Sequence, residues 1–215
     1  MKKLLAKEVK LAMHPTAPIF LMLSAMLLIP NYPYYVVFFY TGLAVFFTCL
    51  MGRENNDVTY TMLLPVRKTD IVKARYAFVV LLELIQVIVA ITFAVLRQHL
   101  PLEPNQVGMD ANISLFAVSF IMLGLFNLVF FKVYYSDVLK VGKAFVLSSI
   151  SVFGFMIIAE VLTHAVPFFR DILDTYDNVY VPQKLVVLAI GIIIYITLTL
   201  ISYMSSKKSF ELLDL

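Results

Sequence analysis

The sequence predicts an all-α, polytopic membrane protein. It reads as a single transmembrane domain over 1–215, with six transmembrane helices, an N-terminal amphipathic interfacial helix and a polar segment between spans two and three. Three observations carry this reading. First, 61% of the residues are hydrophobic and 14% are charged, against about 25% charged in a soluble domain. So few charges cannot coat a soluble surface, which excludes a water-soluble globular enzyme. Second, Asp, Glu, Lys and Arg are absent from 11–52, 111–131, 144–159 and 185–206. Third, the basic residues sort to one side of the spans that these intervals define.

Residues 2–14 read as a helix lying in the interface. Leu5, Val9, Ala12 and Met13 recur at helical spacing on one face, and Lys3, Lys7, Lys10 and His14 on the other. A secretory leader is not expected, because the apolar run continues past any cleavage point and no small-residue cleavage site is evident. A crossing needs roughly 20 apolar residues for a ~30 Å hydrocarbon core. The interval 11–52 therefore holds two, near 17–30 and 34–51, parted by Pro30, Asn31 and Pro33. Pro15 and Pro18 blur the start of the first and favour a kink there. The third span, 76–96, contains one acid, Glu83. Further spans fall near 113–132, 144–163 and 185–204.

Six crossings place both termini on one side. With that side cytoplasmic, 14 of the 17 basic residues lie inside, and only Arg97, Arg170 and Lys184 lie outside, as the positive-inside rule requires. Five acids (Glu103, Asp110, Asp171, Asp174 and Asp177) fall on the outer side. Tyr32, Tyr34 and Tyr35 suit an outer aromatic belt, and Tyr134 and Tyr135 an inner one. Cys49, the only cysteine, excludes a disulfide framework and a Cys-based zinc site.

The segment 54–70 is more than a connector. It has no glycine, and its apolar residues Met62, Leu63 and Leu64 need something to cover them. Glu54, Asn55, Asn56 and Asp57 extend the second span as a polar cap, Pro65 ends a short element, and Thr69 or Asp70 suits the N-cap of the next helix. A short apolar-tipped element held between two long helices can pass force: a partner pushing on it must tilt spans two and three. Packing on its own bundle is the alternative.

The ordered set Glu54 to Asp57, Tyr60, Leu63 to Arg67 and Asp70 to Tyr76 resembles the signature of small ABC-2 type transporter permeases. The likeness spans the whole chain. It is most evident to the permeases of phenol-soluble-modulin and antimicrobial-peptide exporters of Gram-positive bacteria. The resemblance implies the permease subunit of an ATP-binding cassette exporter in a bacterial cell membrane, moving hydrophobic or amphipathic substrates such as peptide toxins, antimicrobial peptides or drugs. It implies two permease copies, or one copy and a homologous partner, each docking a separate ATPase subunit. In such proteins the loop after span two is the coupling helix. Carried over, 54–70 and 2–14 become the docking surface, with Glu54, Asp57, Tyr60, Leu63, Leu64, Pro65 and Arg67 as its residues. Glu54 and Arg67 supply polar contacts, and Leu63 and Leu64 insert into the partner's cleft. ATP and Mg belong to that partner. No nucleic acid is expected to bind.

The chain has no phosphate-binding loop of its own. Its one Gly-Lys pair, Gly142-Lys143, is followed by Ala144, and Asp137 stands where the first glycine belongs. No cofactor and no metal site is expected in this chain.

Ionisable residues at membrane depth are costly and need a reason. Glu83, with Gln86 one turn on, either lines a polar pathway or is satisfied by a Ser, Thr or Asn such as Asn127 or Ser148. Glu160 and His164 stand at i and i+4 and can pair locally; metal ligation there lacks further ligands. The outer segment 165–184 carries Phe168, Phe169, Ile172, Leu173 and Tyr176 as an apolar stripe between Pro167 and Pro182, and reads as an amphipathic lid. A stand-alone six-span channel or secondary transporter is the alternative function. A membrane-embedded enzyme is disfavoured, for want of a serine site, paired aspartates or a metal triad.

Overall fold

The computed structural model describes residues 2–175 and 177–213, and every regular element among them is helical. Helix α1, Lys2–Lys7, runs on as a π-helical turn over Glu8–Ala12. Helix α2, Ala17–Met22, has Pro18 in its first turn, where the missing N–H costs no hydrogen bond. It continues as a 3₁₀ stretch over Leu23–Leu28. There follow α3 (Tyr35–Glu54), the short α4 (Asp57–Met62), α5 (Lys68–His99), α6 (Ile113–Tyr134) and α7 (Val141–Ala165). A π-helical turn, Phe168–Leu173, precedes α8 (Val181–Glu211).

Among the described residues, five helices are long and apolar enough to cross a membrane: α3, α5, α6, α7 and α8. The stretches Lys2–Ala12 and Ala17–Leu28 meet at an 85° bend and make a sixth if taken as one span. The bend falls at Pro15 and Pro18, where a kink was expected, and the stretch after it is short. Six α-helical and six 3₁₀ residues rise only about 20 Å, short of a ~30 Å core. At the bend the His14 backbone N–H donates to Thr48 Oγ1 at 3.2 Å. At the far end Arg97 Nη1 donates to the Leu27 carbonyl at 3.4 Å.

Long-range contacts sort the connections into two ends. Lys7 meets Asp57, Arg53 meets the Leu139 carbonyl, and Lys68 meets the Leu213 carbonyl. One end therefore gathers the N-terminal helix, α4, the α6–α7 turn and the C-terminal part of α8. At the other end Asn105 meets the Tyr32 carbonyl, Arg97 meets Asp110, and the Asp110 N–H meets Asp174. The first end carries the 14 basic residues, and the second the five acids counted above.

Helix α6 is the axis, packed on α7 and most extensively on α8. The close α6–α8 crossing depends on glycine. A Cβ on Gly191 would run into the Ala117 carbonyl oxygen, and one on Gly124 would sit 3.0 Å from Tyr195 Cα. Small residues at a crossing let two backbones approach inside a membrane.

Polar side chains tie the interior together. Tyr195 Oη donates to Glu83 Oε2 at 2.6 Å and Asn127 Nδ2 donates to the same oxygen at 3.2 Å. Ser202 Oγ donates to the Asn127 carbonyl at 2.6 Å, and Tyr76 Oη lies 2.6 Å from Ser202 Oγ. Four of the five tyrosines expected in interfacial belts belong to the core instead. Tyr34, Tyr35, Tyr134 and Tyr135 are all buried. The last two stack with Phe130, Phe131 and Phe210 to fill the basic end of the bundle.

Candidate functional site

The basic end presents one built surface. It is formed by α1, α4 and the start of α5. The left-handed Asn56 (φ 52°, ψ 33°) lets the chain reverse after α3; Asn is among the residues that tolerate this conformation. The first turn of α4 is closed by Thr61 Oγ1, which donates to the Asp57 carbonyl at 2.7 Å. The expectation that Thr69 or Asp70 caps the next helix is not met. α5 starts at Lys68 with Arg67 in the cap position and no side-chain cap. Asp70 instead accepts from Arg67 Nε at 3.0 Å, and this bond raises the Arg67 pKa.

Four charged side chains lock the three elements together. Arg75 Nε lies 2.8 Å from Glu8 Oε2, and Arg75 Nη2 lies 2.9 Å from Asp57 Oδ2. Lys7 Nζ closes the square, 2.7 Å from Asp57 Oδ1 and 3.0 Å from Glu8 Oε1. Glu8 is 1% exposed and Arg75 3%. Two cations and two anions balance, which is the condition under which charges can be buried. Asp57 thereby ties α4 to α1 and α5, while it also lines the groove beside Lys7 and Tyr60. Glu8 and Arg75 were not foreseen as partners. The signal was there for Glu8, which lies on the apolar side of the N-terminal helix, three residues after Leu5 and four before Ala12.

The remaining candidates face outward. Tyr60 is 65% exposed, Leu63 77% and Leu64 54%. Pro65, Glu54 and Arg67 are exposed too; Glu54 pairs with its neighbour Arg53. Between α1 and this tip runs a groove of about 1040 Å³, with Lys2, Lys3 and Leu4 on one wall and Tyr60, Leu64 and Arg67 on the other. The surface combines apolar knobs with a cationic rim, rigidly joined through Arg75 to the longest helix of the bundle.

The other candidates lie apart from this surface. Glu83 and Gln86 face different neighbours. Glu83 meets α6 and α8, whereas Gln86 Nε2 donates to Ser24 Oγ at 2.8 Å. Both are buried within one protomer, and Glu83 has the Asn127 partner that the sequence offered as its alternative. The expected Glu160–His164 pair does not form a hydrogen bond. His164 Nε2 lies 3.3 Å from the Val107 carbonyl, and both Glu160 carboxylate oxygens lack a hydrogen-bond partner among the described residues. The segment 165–184 holds the turn Phe168–Leu173 and the start of α8 from Val181, not a continuous helix, and Tyr176 lies outside the described residues. Its Asp174 accepts from the Asp110 N–H at 2.7 Å, and burial pushes the Asp174 carboxyl pKa up. Among the described residues no group of three or more His, Cys, Asp or Glu is placed to hold a metal.

An all-helical chain with five or six apolar crossings and a buried polar interior is a multi-pass membrane protein. A family model described as ABC-2 family transporter protein matches residues 3–211, so the chain belongs to the ABC-2 transporter family, the membrane subunits of ABC transporters. Membership implies an ABC ATPase partner in a separate chain. Neither a curated protein nor a solved structure matches the chain.

Proposed function

We propose that the chain is the permease of a bacterial ABC exporter for hydrophobic or amphipathic substrates such as peptide toxins, antimicrobial peptides or drugs. The basic end faces the cytoplasm with both termini. Two permeases, identical or homologous, face each other, and each receives one ATPase subunit on the surface formed by α1 and 57–67. The observation that carries the reading is the exposed Tyr60–Leu63–Leu64 tip. Apolar side chains this exposed on a soluble-facing loop mark a contact surface. The Lys7–Glu8–Asp57–Arg75 square prevents the tip from yielding independently of α5.

The stroke follows from that connection. When the ATPase subunits close on ATP, each pushes its α4 tip. The push passes through Asp57 to Arg75 and so to α5, a helix of 32 residues and about 48 Å. Rotation of α5 carries α6 and α8 with it through Glu83, Tyr195 and Asn127. The permease contributes no group to hydrolysis.

Co-expression with its ABC ATPase partner, followed by pull-down, tests the docking surface. Leu64→Asp leaves the membrane level of the permease unchanged and removes the ATPase from the pull-down. Undiminished recovery of the ATPase overturns the assignment of the tip.

A further inference from the structure

A second groove opens on the membrane-facing side of the same end, between α5 and α8. It measures about 510 Å³, and its surface is almost wholly apolar. Tyr76 forms its floor, Leu81, Leu84 and Leu200 its sides, and Tyr203 and Leu5 its basic-end rim. From Lys73 at the mouth to Leu84 the α5 rise is about 16 Å, half the thickness of a ~30 Å hydrocarbon core. The groove therefore has the length of one leaflet.

Its mouth is cationic. Tyr76 and Tyr203 pack edge to face with ring centroids 5.4 Å apart, which fixes the register of the two antiparallel helices. One turn toward the basic end of Tyr76 stands Lys73, and one turn toward the same end of Tyr203 stands Lys207. Lys73 lines the mouth, and helical spacing puts Lys207 on the same face of α8 as Tyr203, just beyond the lining. Neither makes a hydrogen bond or ion pair among the described residues. Asp70, the carboxylate facing Lys73, is already held by Arg67. Lysines at this level keep their ammonium groups in the headgroup layer while their stems lie on apolar surface.

We propose that this groove is a binding site for an anionic phospholipid of the cytoplasmic leaflet, with one acyl chain between Leu84 and Leu200 and its phosphate between Lys73 and Lys207. Charge complementarity selects this occupant. A second copy of the chain would bring the same two lysines against its own basic end. The site also borders the docking surface. Leu5 lines the lipid groove and its neighbour Leu4 lines the α1–α4 groove, so α1 is the wall between the two. A seated lipid props that wall in position.

The chain contains no tryptophan, so a single introduced indole reports on the site. Leu200→Trp is placed in the groove and Ile150→Trp, on the exposed face of α7, serves as the control. Each full-length variant is reconstituted in vesicles containing phosphatidylcholine, with either phosphatidylglycerol or phosphatidylcholine brominated on its acyl chains. Brominated phosphatidylglycerol should displace phosphatidylcholine from the Leu200→Trp site with about fivefold preference for each lysine, the factor implied by lysine attraction to anionic lipid. The Ile150→Trp reporter shows no preference, and Lys73→Gln with Lys207→Gln abolishes the preference at Leu200→Trp. Equal quenching by both lipids overturns the proposal. So does a preference that survives the double substitution. Quenching by neither lipid shows that protein covers the groove, and overturns it as well.

Discussion

Arg75→Met removes the keystone of the charged square without changing the length of the side chain much. Two contacts vanish, at 2.8 Å to Glu8 and 2.9 Å to Asp57. Glu8 and Asp57 are left sharing Lys7 alone, so the buried cluster acquires one uncompensated negative charge. Breaking a fully buried pair from one side costs about 3–5 kcal/mol. Lys7 and Asp57 side chains are 19% and 17% exposed, and water at that edge screens part of the charge, which places the cost near the lower limit. About 3 kcal/mol corresponds to a factor of about 100 in the opening equilibrium of α1 and α4. Amide hydrogen exchange on the detergent-solubilised permease measures it. Exchange of 2–12 and 57–62 should accelerate about a hundredfold, whereas the amides of α6 and α8 keep their protection. Glu8→Gln added to Arg75→Met removes the stranded charge and restores part of the protection. Unaltered exchange in the single variant would refute the view that these four charges hold the elbow. Uniform acceleration throughout the bundle would refute its being local.

Three further outcomes follow from the interior. Tyr195→Phe deletes the 2.6 Å bond to Glu83 and should lower the stability of the bundle by about 1–3 kcal/mol, read as an earlier midpoint in thermal unfolding with ATPase recovery in the pull-down unchanged. Glu83→Gln keeps an acceptor for Tyr195, so export per folded permease should stay normal; a selective loss of export with unchanged stability would return Glu83 to the transport pathway. Gly191→Val forces α8 away from the Ala117 carbonyl and should lower the membrane level of the protein sharply, measured by quantitative immunoblot, because neither backbone at that crossing can yield cheaply.

The apolar runs made the long helices and the all-helical class legible, since nothing but a helix satisfies the backbone in so continuous an apolar stretch. The apolar tip was legible for a similar reason: Leu63 and Leu64 stand out among polar neighbours. Of the pairing across elements, the sequence offered Asn127 for Glu83 but not the charged square. Asp57 reads like the other acids of a polar cap, and only the fold shows it 18 residues from Arg75 in sequence but 2.9 Å away in space. Tyr134 and Tyr135 look interfacial by position, yet the end of the bundle is wide enough to need their rings as filling. Glu160 and His164 have helical spacing, but Val107 takes the imidazole. The kink of the first span was legible in Pro15 and Pro18, which sit where the chain bends by 85°.

Transport by the reconstituted permease gives the most direct test of the claim that its work comes from a second protein acting at the 57–67 tip. Vesicles holding the permease with its ATPase should move an amphipathic peptide only when ATP is supplied, and vesicles with the Leu64→Asp permease should not. Peptide movement by the permease alone, without ATPase or nucleotide, would contradict it.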